Sequence, residues 1–239
     1  MEPINTSKYE KVLKNCHLLK DLDKESYNEL LSLFHEEKWT KNTCILNQEK
    51  LNNNFYIILL GRVKIYQIDK LSGREITLFL LTRSDIFDLF CLLDGCEHQV
   101  FYECLDSVKV LSVPMVDLRK WLNKNPQHYQ NLLPYVGKQS RQLENYVSEI
   151  AFIDIPTRLI KLLIRNIKKD SDKLELINDL PNKEIANLIG STRAVVNRHL
   201  QNLRKSGAIE ISRNHVGIKN INLLQRLLKF QKLRDSGQK

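Results

Sequence analysis

The sequence predicts an α+β fold that begins with a β sandwich or barrel and ends in a winged helix-turn-helix, with a long helix between them. Three observations predict it. Short β-type runs separated by polar turns fill residues 38–114, a heptad pattern follows Asn125-Pro126, and two short amphipathic helices meet at Gly190. The 239 residues are 42% hydrophobic and 27% charged, which is ordinary globular composition and excludes disordered and fibrous classes.

The net charge of +9 is unevenly distributed along the chain. Residues 1–154 hold 19 Lys and Arg against 21 Asp and Glu (net −2), and residues 155–239 hold 18 against 7 (net +11). A neutral front part joined to a strongly basic end indicates a regulatory module attached to a module that binds a polyanion. A solvated basic face without a partner is the alternative.

The absence of targeting signals and the pattern of cysteines predict a cytoplasmic protein without a membrane partner. No run approaches the roughly 20 apolar residues of a membrane-spanning helix, and the polar N-terminus lacks the apolar core of a signal peptide. The odd number of cysteines and the absence of a Cys-x-x-Cys pair favour a reducing compartment. The five are Cys16, Cys44, Cys91, Cys96 and Cys104.

The first half of the chain changes from helical to β-type spacing. Residues 7–36 are predicted to be helical, and Asp23 can cap the part whose apolar residues recur at helical spacing. Turn-forming stretches such as Gly61-Arg62 and Ser72-Gly73-Arg74 separate the apolar runs that follow. The clearest predicted strands are residues 55–60, 63–68, 76–80 and 108–114.

After a short helix at residues 115–123, Asn125-Pro126 begins a predicted long helix that carries a heptad seam. Charged flanks make the apolar stripe narrow, which favours a dimer interface over packing on the helix's own domain. Asp154 and Pro156 suit the start of the next helix, so we predict domains at 1–125, 126–154 and 155–239. The seam consists of Leu133, Val136, Ser140, Leu143, Val147 and Ile150.

Residues 181–205 have the spacing of a helix-turn-helix. The first helix has about two turns before Gly190, and the second places Val196, Leu200 and Leu203 inward. A helix at 156–169 and a short strand at 174–177 precede the motif, and a β-hairpin wing at 209–219 follows it. A basic amphipathic helix at 222–234 packs on this domain or, alternatively, lies on a membrane surface. A two-helix hairpin with a basic exterior is the alternative to a DNA-binding motif.

This arrangement resembles the cyclic-AMP-receptor/Fnr (Crp/Fnr) superfamily over roughly residues 18–220, and within it the global nitrogen regulators of cyanobacteria and algal plastids. The likeness is carried by Phe55–Ile68, Phe87–Gly95, Phe101-Tyr102, Ala151–Asp154 and Ile189–Arg193. It implies a jelly-roll domain like those that bind cyclic nucleotides. It also implies a homodimeric transcription regulator that binds a palindromic double-stranded DNA site and RNA polymerase, in a bacterial cytoplasm or plastid stroma, with a role in nitrogen control.

The resemblance also implies which side chains meet DNA. Arg193 and Arg198 would reach base edges, Ser191 and Thr192 would lie near phosphates, and Val195 would contact a thymine methyl. The outward face also includes Asn197 and Arg204. Ala194 stands where the cyclic-AMP branch often has Glu, so we expect a palindrome of the nitrogen-regulator type.

The effector residues of the relatives are altered here. Ser84-Asp85 and His98-Gln99-Val100 replace the Gly-Glu and Arg-Ser/Thr pairs that hold a cyclic nucleotide, which argues against cyclic AMP. In the nitrogen regulators, 2-oxoglutarate is held by backbone amides, two arginines and a glutamate. The aligned positions are Phe87, Asp88, Leu89 and Phe90 for the amides, Val100 and Gln139 for the arginines, and Glu144 for the glutamate. Two missing cations and the added Asp88 charge oppose 2-oxoglutarate, so we expect no cofactor of either kind.

Two alternatives to an effector-controlled DNA-binding protein stay open at this stage. Cys91, Cys96, Cys104 or His98 could make the regulator respond to redox state or a gas, although their spacing matches no common zinc or iron–sulfur pattern. The basic domain could instead bind an acidic protein. No catalytic motif, such as a phosphate-binding glycine loop, is present, so we expect neither an enzyme nor a metal site.

Overall fold

The computed structural model describes residues 6–43, 53–168, 173–212 and 215–236. Its contacts divide the chain into two compact units. The first unit comprises residues 1–67 and 78–143, and the second comprises residues 68–77 and 144–239. Cys44 lies outside the described residues, as do the last residue of the helix predicted at 156–169 and residues 213 and 214 of the predicted wing.

The first unit begins with two helices, α1 (Thr6–Lys14) and α2 (Lys24–Ser32), so the prediction of one helix over 7–36 is wrong. The chain turns between them, where Asp21 takes a positive φ of 61°. Asp23 caps α2, as predicted, by accepting hydrogen bonds from the backbone nitrogens of Glu25 and Ser26 at 3.0 and 2.9 Å. Because this cap starts a new helix, the first one ends before it. A strand begins at His35, inside the range predicted to be helical.

Two sheets follow, and the strands predicted from the apolar runs are confirmed. One sheet has the order β1-β7-β2-β5 and the other β4-β3-β6. Strand β7 pairs antiparallel with β1 and β2, as do β2 with β5 and β3 with β6. The strands are β1 (His35–Trp39), β2 (Asn54–Leu60), β3 (Val63–Ile68), β4 (Glu75–Leu81), β5 (Ile86–Phe87), β6 (Phe101–Cys104) and β7 (Val108–Pro114).

Strand β2 is buried on both faces, which explains its unbroken apolar run. Phe55 and Ile57 belong to a core shared with the helices, whereas Tyr56 and Ile58 belong to a second core shared with residues of the other sheet. Side chains alternate between the faces of a strand, so a strand covered on both sides reads as continuously apolar rather than alternating. This burial places β2 at the centre of the roll.

The turn from β2 to β3 is fixed by Gly61, which has a φ of +88°. A Cβ at this position would lie 2.7 Å from the backbone oxygen of Ser107. Beside the turn, the Arg62 guanidinium donates to both carboxylate oxygens of Asp106 at 2.6 and 2.8 Å. This hydrogen-bonded pair holds the pKa of Asp106 below its usual value. The glycine and the ion pair together join two turns that are distant in sequence.

Two helices and the first part of a third complete the first unit, and the remainder of the third helix, from Glu144 onward, belongs to the second unit. Helices α3 (Leu89–Asp94) and α4 (Met115–Lys124) precede a 3₁₀ segment over Pro126–Asn131, and α5 (Leu133–Phe152) comes next. The prediction that the long helix begins at Asn125-Pro126 is therefore wrong. Asn125 has non-helical φ and ψ of −125° and 59°, as expected of a residue that precedes proline. The α-helix begins only after the 3₁₀ segment ends.

The predicted seam on α5 is not a single exposed stripe. Val136 and Leu143 are half-buried and pack against the cores of their own unit, so the alternative of intradomain packing holds for these two residues. Leu133 and Val147 are 62% and 64% exposed. Ser140 and Ile150 are also exposed. The exposed apolar residues of the seam are therefore Leu133, Val147 and Ile150.

The second unit contains the helix-turn-helix and the wing. Asp154 accepts a hydrogen bond from the backbone nitrogen of Thr157 at 3.0 Å, which confirms the predicted cap. The helix predicted over 156–169 ends at Arg165, and the strand predicted at 174–177 is only an isolated bridge between Ile167 and Leu174. The elements are α6 (Ile155–Arg165), α7 (Asn182–Leu188), α8 (Arg193–Lys205), β8 (Ile209–Ser212), β9 (His215–Ile218) and α9 (Ile221–Ser236).

Strands β8 and β9 pair antiparallel from Ile209 opposite Ile218 to Ser212 opposite His215, which forms the predicted wing. Leu224 on α9 is fully buried, consistent with the predicted packing of this helix on its own unit. Among the helices in the described parts of the chain, none combines the length and apolar character needed to cross a membrane.

We expect Gly61→Ala to lower the free energy of unfolding by roughly 2–4 kcal/mol, because the new Cβ would combine positive-φ strain with a steric overlap at Ser107. Urea unfolding measures this change. Gly95→Ala is the matched control, since Gly95 also has a positive φ but open space around it, and should cost only about 1–2 kcal/mol. Equal losses in the two variants would contradict the steric explanation.

Candidate functional site

The helix-turn-helix is built on a left-handed turn at Gly190, where φ is +62°. A Cβ there would lie 3.1 Å from Cδ1 of Ile150 and 3.4 Å from Nη1 of Arg158, so only glycine fits without a shift of its neighbours. The inward residues Ile185, Val196 and Leu200 are buried, as the spacing predicts. The turn and this core determine the angle between α7 and α8.

The second helix of the motif begins at Arg193, with Thr192 as its N-cap. The Thr192 hydroxyl accepts a hydrogen bond from the backbone nitrogen of Val195 at 3.4 Å, so its hydroxyl has a structural use that the sequence analysis did not assign. Beyond the cap, the predicted outward face is present. Thr192, Arg193, Asn197, Arg198 and Arg204 are exposed, and Val195 is half-buried.

Ser191 does not share this exposure. It is 7% exposed, and its Oγ has no hydrogen-bond partner among the described residues. In this arrangement the Ser191 hydroxyl is therefore closed off from a phosphate outside the unit, which contradicts its predicted place on the outward face. The reason is that α8 starts two residues later, so Ser191 belongs to the turn, where its backbone nitrogen donates to the oxygen of Ala186 at 2.9 Å.

Arg158 is a residue of this region that sequence reasoning missed. It is only 9% exposed, and its Nε and Nη1 have no partner in the described part of the chain. The hydroxyl of Tyr146 is likewise buried without a hydrogen-bond partner among the described residues. Burial raises the pKa of Tyr146 to about 12, partly opposed by the charges of Arg158 and Arg74. Spacing alone marks Arg158 only as a helical residue after a cap, which is why its burial was not predicted.

The exposed basic face extends beyond α8. Lys183 on α7 is exposed, and Arg204 and Lys205 lie in the last turn of α8. On the wing, His215 lies 3.3 Å from the Asp179 carboxylate. Burial and the nearby Arg198 charge lower the pKa of His199, so its neutral form is favoured in the folded unit. This surface combines cations with hydrogen-bond donors, the chemistry that nucleic acids require.

The predicted effector region, which we define as residues 87–90 with 98–102, lies in the first unit. Several aromatic rings pack together there. Tyr56 stacks on Phe87 with 4.7 Å between ring centroids and an interplanar angle of 11°. Phe87 and Tyr102 are 5.5 Å apart, and Phe90 meets His98 edge-on at 5.5 Å. The structure thus brings the predicted residues Phe87, Asp88, Leu89, Phe90 and Val100 into one region and adds Tyr102 and His98 to them.

Asp88 gives this region a buried negative charge. Its side chain is fully buried, and its φ of 62° is one that glycine adopts more easily. The Tyr102 hydroxyl donates to Oδ1 of Asp88, and Nδ1 of His98 lies 3.7 Å from the same oxygen. Oδ2 has no partner within the described residues. Burial and the charge of Asp88 raise the pKa of Tyr102, which keeps this hydroxyl protonated as a donor.

The remaining predicted effector residues do not supply a cation. Val100 is 3% exposed and Gln139 is 5% exposed, so both are buried neutral side chains. Glu144 is exposed and belongs to the second unit. A carboxylate ligand placed beside Asp88 would meet a like charge rather than a guanidinium.

Burial disfavours the thiolate form of two cysteines, Cys16 and Cys91. Burial raises the pKa of Cys91 to about 11 and that of Cys16 to about 12. Cys104 is also buried, whereas Cys96 is exposed. Within the described ranges, no three His, Cys, Asp or Glu side chains are grouped so that they could hold a metal ion.

Comparison with known proteins agrees with this geometry. Residues 36–125 match the cyclic nucleotide-binding domain, and residues 157–227 match the Crp-like helix-turn-helix domain. The chain is 28% identical over 178 residues to the CRP-like cAMP-activated global transcriptional regulator of Mycobacterium tuberculosis, which covers 73% of this chain and 79% of the relative. It is also 28% identical over 209 residues to the global nitrogen regulator of Synechococcus elongatus, covering 81% and 94%.

Among solved structures, the c-di-GMP responsive global regulator CLP of Xanthomonas campestris superposes with a TM-score of 0.70 at 16% identity, over 82% of this chain and 99% of that one. That likeness is one of fold alone. Together with the two matched domains and the exposed basic face of α8, it leads to one assignment: the chain belongs to the Crp/Fnr family of DNA-binding transcription regulators.

Proposed function

We propose that the protein acts as a homodimer that recognises a palindromic DNA site through α8. The observation that carries this proposal is the exposed face of that helix, where Arg193 and Asn197 stand about one helical turn apart and Arg198 follows Asn197. A guanidinium can donate two hydrogen bonds to the edge of a guanine in the major groove, and an amide can pair in the same way with adenine.

The rest of the motif supports binding of the DNA backbone. The N-terminal residues of a recognition helix reach base edges while the preceding helix crosses the backbone, so Lys183 on α7 is suited to a phosphate. Thr192 is exposed at the start of α8 and can contribute there as well. In a two-fold dimer, the two recognition helices would enter successive major grooves about 34 Å apart.

Exposed apolar residues on α5 support self-association. Leu133, Val147 and Ile150 present apolar side chains on the seam, and Phe152 at the helix end is 82% exposed. Large apolar groups at heptad spacing are stabilised when a second helix covers them. We assign this surface to a second copy of the chain.

The predicted effector positions of the first unit carry no cation that could hold an anionic ligand. Asp88 places a buried carboxylate where an anionic ligand would lie, and Val100 and Gln139 lack positive charge. We therefore propose that neither cyclic AMP nor 2-oxoglutarate controls DNA binding.

A role in nitrogen control rests on the likeness to the global nitrogen regulators. Contact with RNA polymerase and a bacterial cytoplasmic or plastid stromal location belong to the same proposal.

We expect Arg193→Ala to weaken binding of the preferred palindrome by roughly 1–3 kcal/mol and to relax base preference, because a bidentate contact with one base is lost. Selection from a random DNA pool identifies the site, and fluorescence anisotropy measures affinity. Arg83→Ala is the control, since Arg83 is an exposed arginine of the first unit. Equal affinity of the wild type for palindromic and random duplexes at the same salt concentration would refute the proposal.

We expect Val147→Glu to shift the protein from dimer to monomer in sedimentation velocity, because it buries a charge in the apolar seam. Val116→Glu introduces the same change at a valine of α4 that is 56% exposed, and this control should remain dimeric. The assignment fails if Val147→Glu sediments like the wild type, or if the wild type is itself monomeric.

We expect cyclic AMP and 2-oxoglutarate to leave both the melting temperature and the DNA affinity unchanged. A ligand present at 100 times its Kd would stabilise the native state by about 2.7 kcal/mol, which thermal unfolding detects readily. The double variant Asp88→Gly, Val100→Arg restores a glycine and a cation, and should respond to 2-oxoglutarate more than the wild type does. A concentration-dependent rise in the wild-type melting temperature with either ligand would contradict the proposal.

A further inference from the structure

Residues 68–77, the hairpin tip between β3 and β4, belong to the same compact unit as the helix-turn-helix. The tip is internally ordered. Asp69 accepts hydrogen bonds from the backbone nitrogens of Leu71 and Ser72 at 3.2 Å each, and the Gly73 nitrogen donates to the Asp69 oxygen at 2.8 Å. Because the turn is held by its own hydrogen bonds, the residues that follow it, Arg74 and Glu75, are presented in a defined position.

Arg74 and Glu75 make three hydrogen bonds to the helix-turn-helix. The Arg74 guanidinium donates to the backbone oxygen of Gly190 at 2.7 Å. Nζ of Lys183 donates to Oε1 of Glu75 at 3.0 Å, and Nδ2 of Asn187 donates to Oε2 at 2.8 Å. One carboxylate therefore accepts from two side chains of α7, and one guanidinium holds the turn between α7 and α8.

The Glu75 carboxylate occupies donors that a DNA phosphate would need. The first helix of a helix-turn-helix crosses the DNA backbone, and lysine and asparagine side chains are common phosphate donors. Here Lys183 is paired with a carboxylate, and Asn187 is buried beneath it at 6% exposure. An oxyanion of the protein itself thus lies where an oxyanion of DNA would bind, and the two exclude each other.

We propose that residues 68–77 form an autoinhibitory clamp on the helix-turn-helix. In the closed state Glu75 neutralises Lys183 and binds Asn187, while Arg74 holds the carbonyl of Gly190. DNA binds only after the clamp has opened, so the fraction of open molecules sets the apparent affinity. This inference rests on DNA binding by the family's motif and does not require the proposed effector or palindrome.

Glu75→Gln tests the clamp because it removes the charge and keeps the shape. We expect it to bind a duplex roughly fivefold more tightly than the wild type at one fixed salt concentration in fluorescence anisotropy. The slope of log affinity against log salt should also become steeper by up to about one, because Lys183 no longer exchanges a carboxylate for a phosphate. A residue with a purely structural role would not change this slope.

Glu25→Gln is the matched control. It makes the same change in net charge at an exposed carboxylate of α2 in the first unit, and should reproduce the wild-type affinity and slope. Arg74→Gln removes a different clamp contact, the hydrogen bond to the backbone oxygen of Gly190, and should also strengthen DNA binding. The proposal therefore stays testable if either clamp variant fails to fold. Circular dichroism establishes that each variant is folded.

A double-mutant cycle identifies the partner of Glu75. Lys183→Gln should weaken DNA binding through loss of a phosphate contact. Adding Glu75→Gln to this variant should raise the DNA affinity very little, because the ion pair between the two residues is already broken. An affinity of Glu75→Gln equal to that of Glu25→Gln would overturn the clamp alone. Absence of duplex binding by the wild type and all variants would overturn DNA binding as well.

Discussion

The second unit depends on the close packing at Gly190. Because this residue has a positive φ and its α-carbon faces Ile150 and Arg158, the chain can reverse between α7 and α8 only where no side chain is present. The same turn buries Ser191, begins α8 with Arg193 exposed, and presents a carbonyl to Arg74. Recognition surface, buried polar groups and hairpin contact therefore all follow from one backbone constraint.

The first unit combines the architecture of a cyclic nucleotide-binding domain with a buried carboxylate. The stacked rings of Tyr56, Phe87 and Tyr102 form a well-packed apolar layer. Against this layer lies Asp88, a carboxylate with one hydroxyl donor and one unpartnered oxygen. Packing of the rings stabilises the fold, and the Asp88 carboxylate is a polar group buried in the same region.

Local signals predicted much of the fold, and their failures share a physical cause. Asp23 and Asp154 cap helices because a short acceptor before an apolar periodic segment satisfies orphan backbone donors wherever the segment packs. The helix predicted over 7–36 failed because periodicity does not reveal a reversal between two helices on the same core. Val136 and Leu143 carry the same heptad pattern as Val147, yet they pack against their own unit. The pattern marks an apolar face without identifying its partner.

By itself the sequence determined the order of the elements, the cations on the outward face of α8 and the neutral residues Val100 and Gln139, because each depends on residue type and near-neighbour spacing. Only the tertiary structure decided that Ser191 and Arg158 are buried, that Tyr102 donates a hydrogen bond to Asp88, and that Glu75 accepts one from Lys183. These facts join residues 14 to 108 positions apart or depend on burial within the folded unit. Such contacts arise from the packing of whole elements, which local periodicity and propensity do not specify.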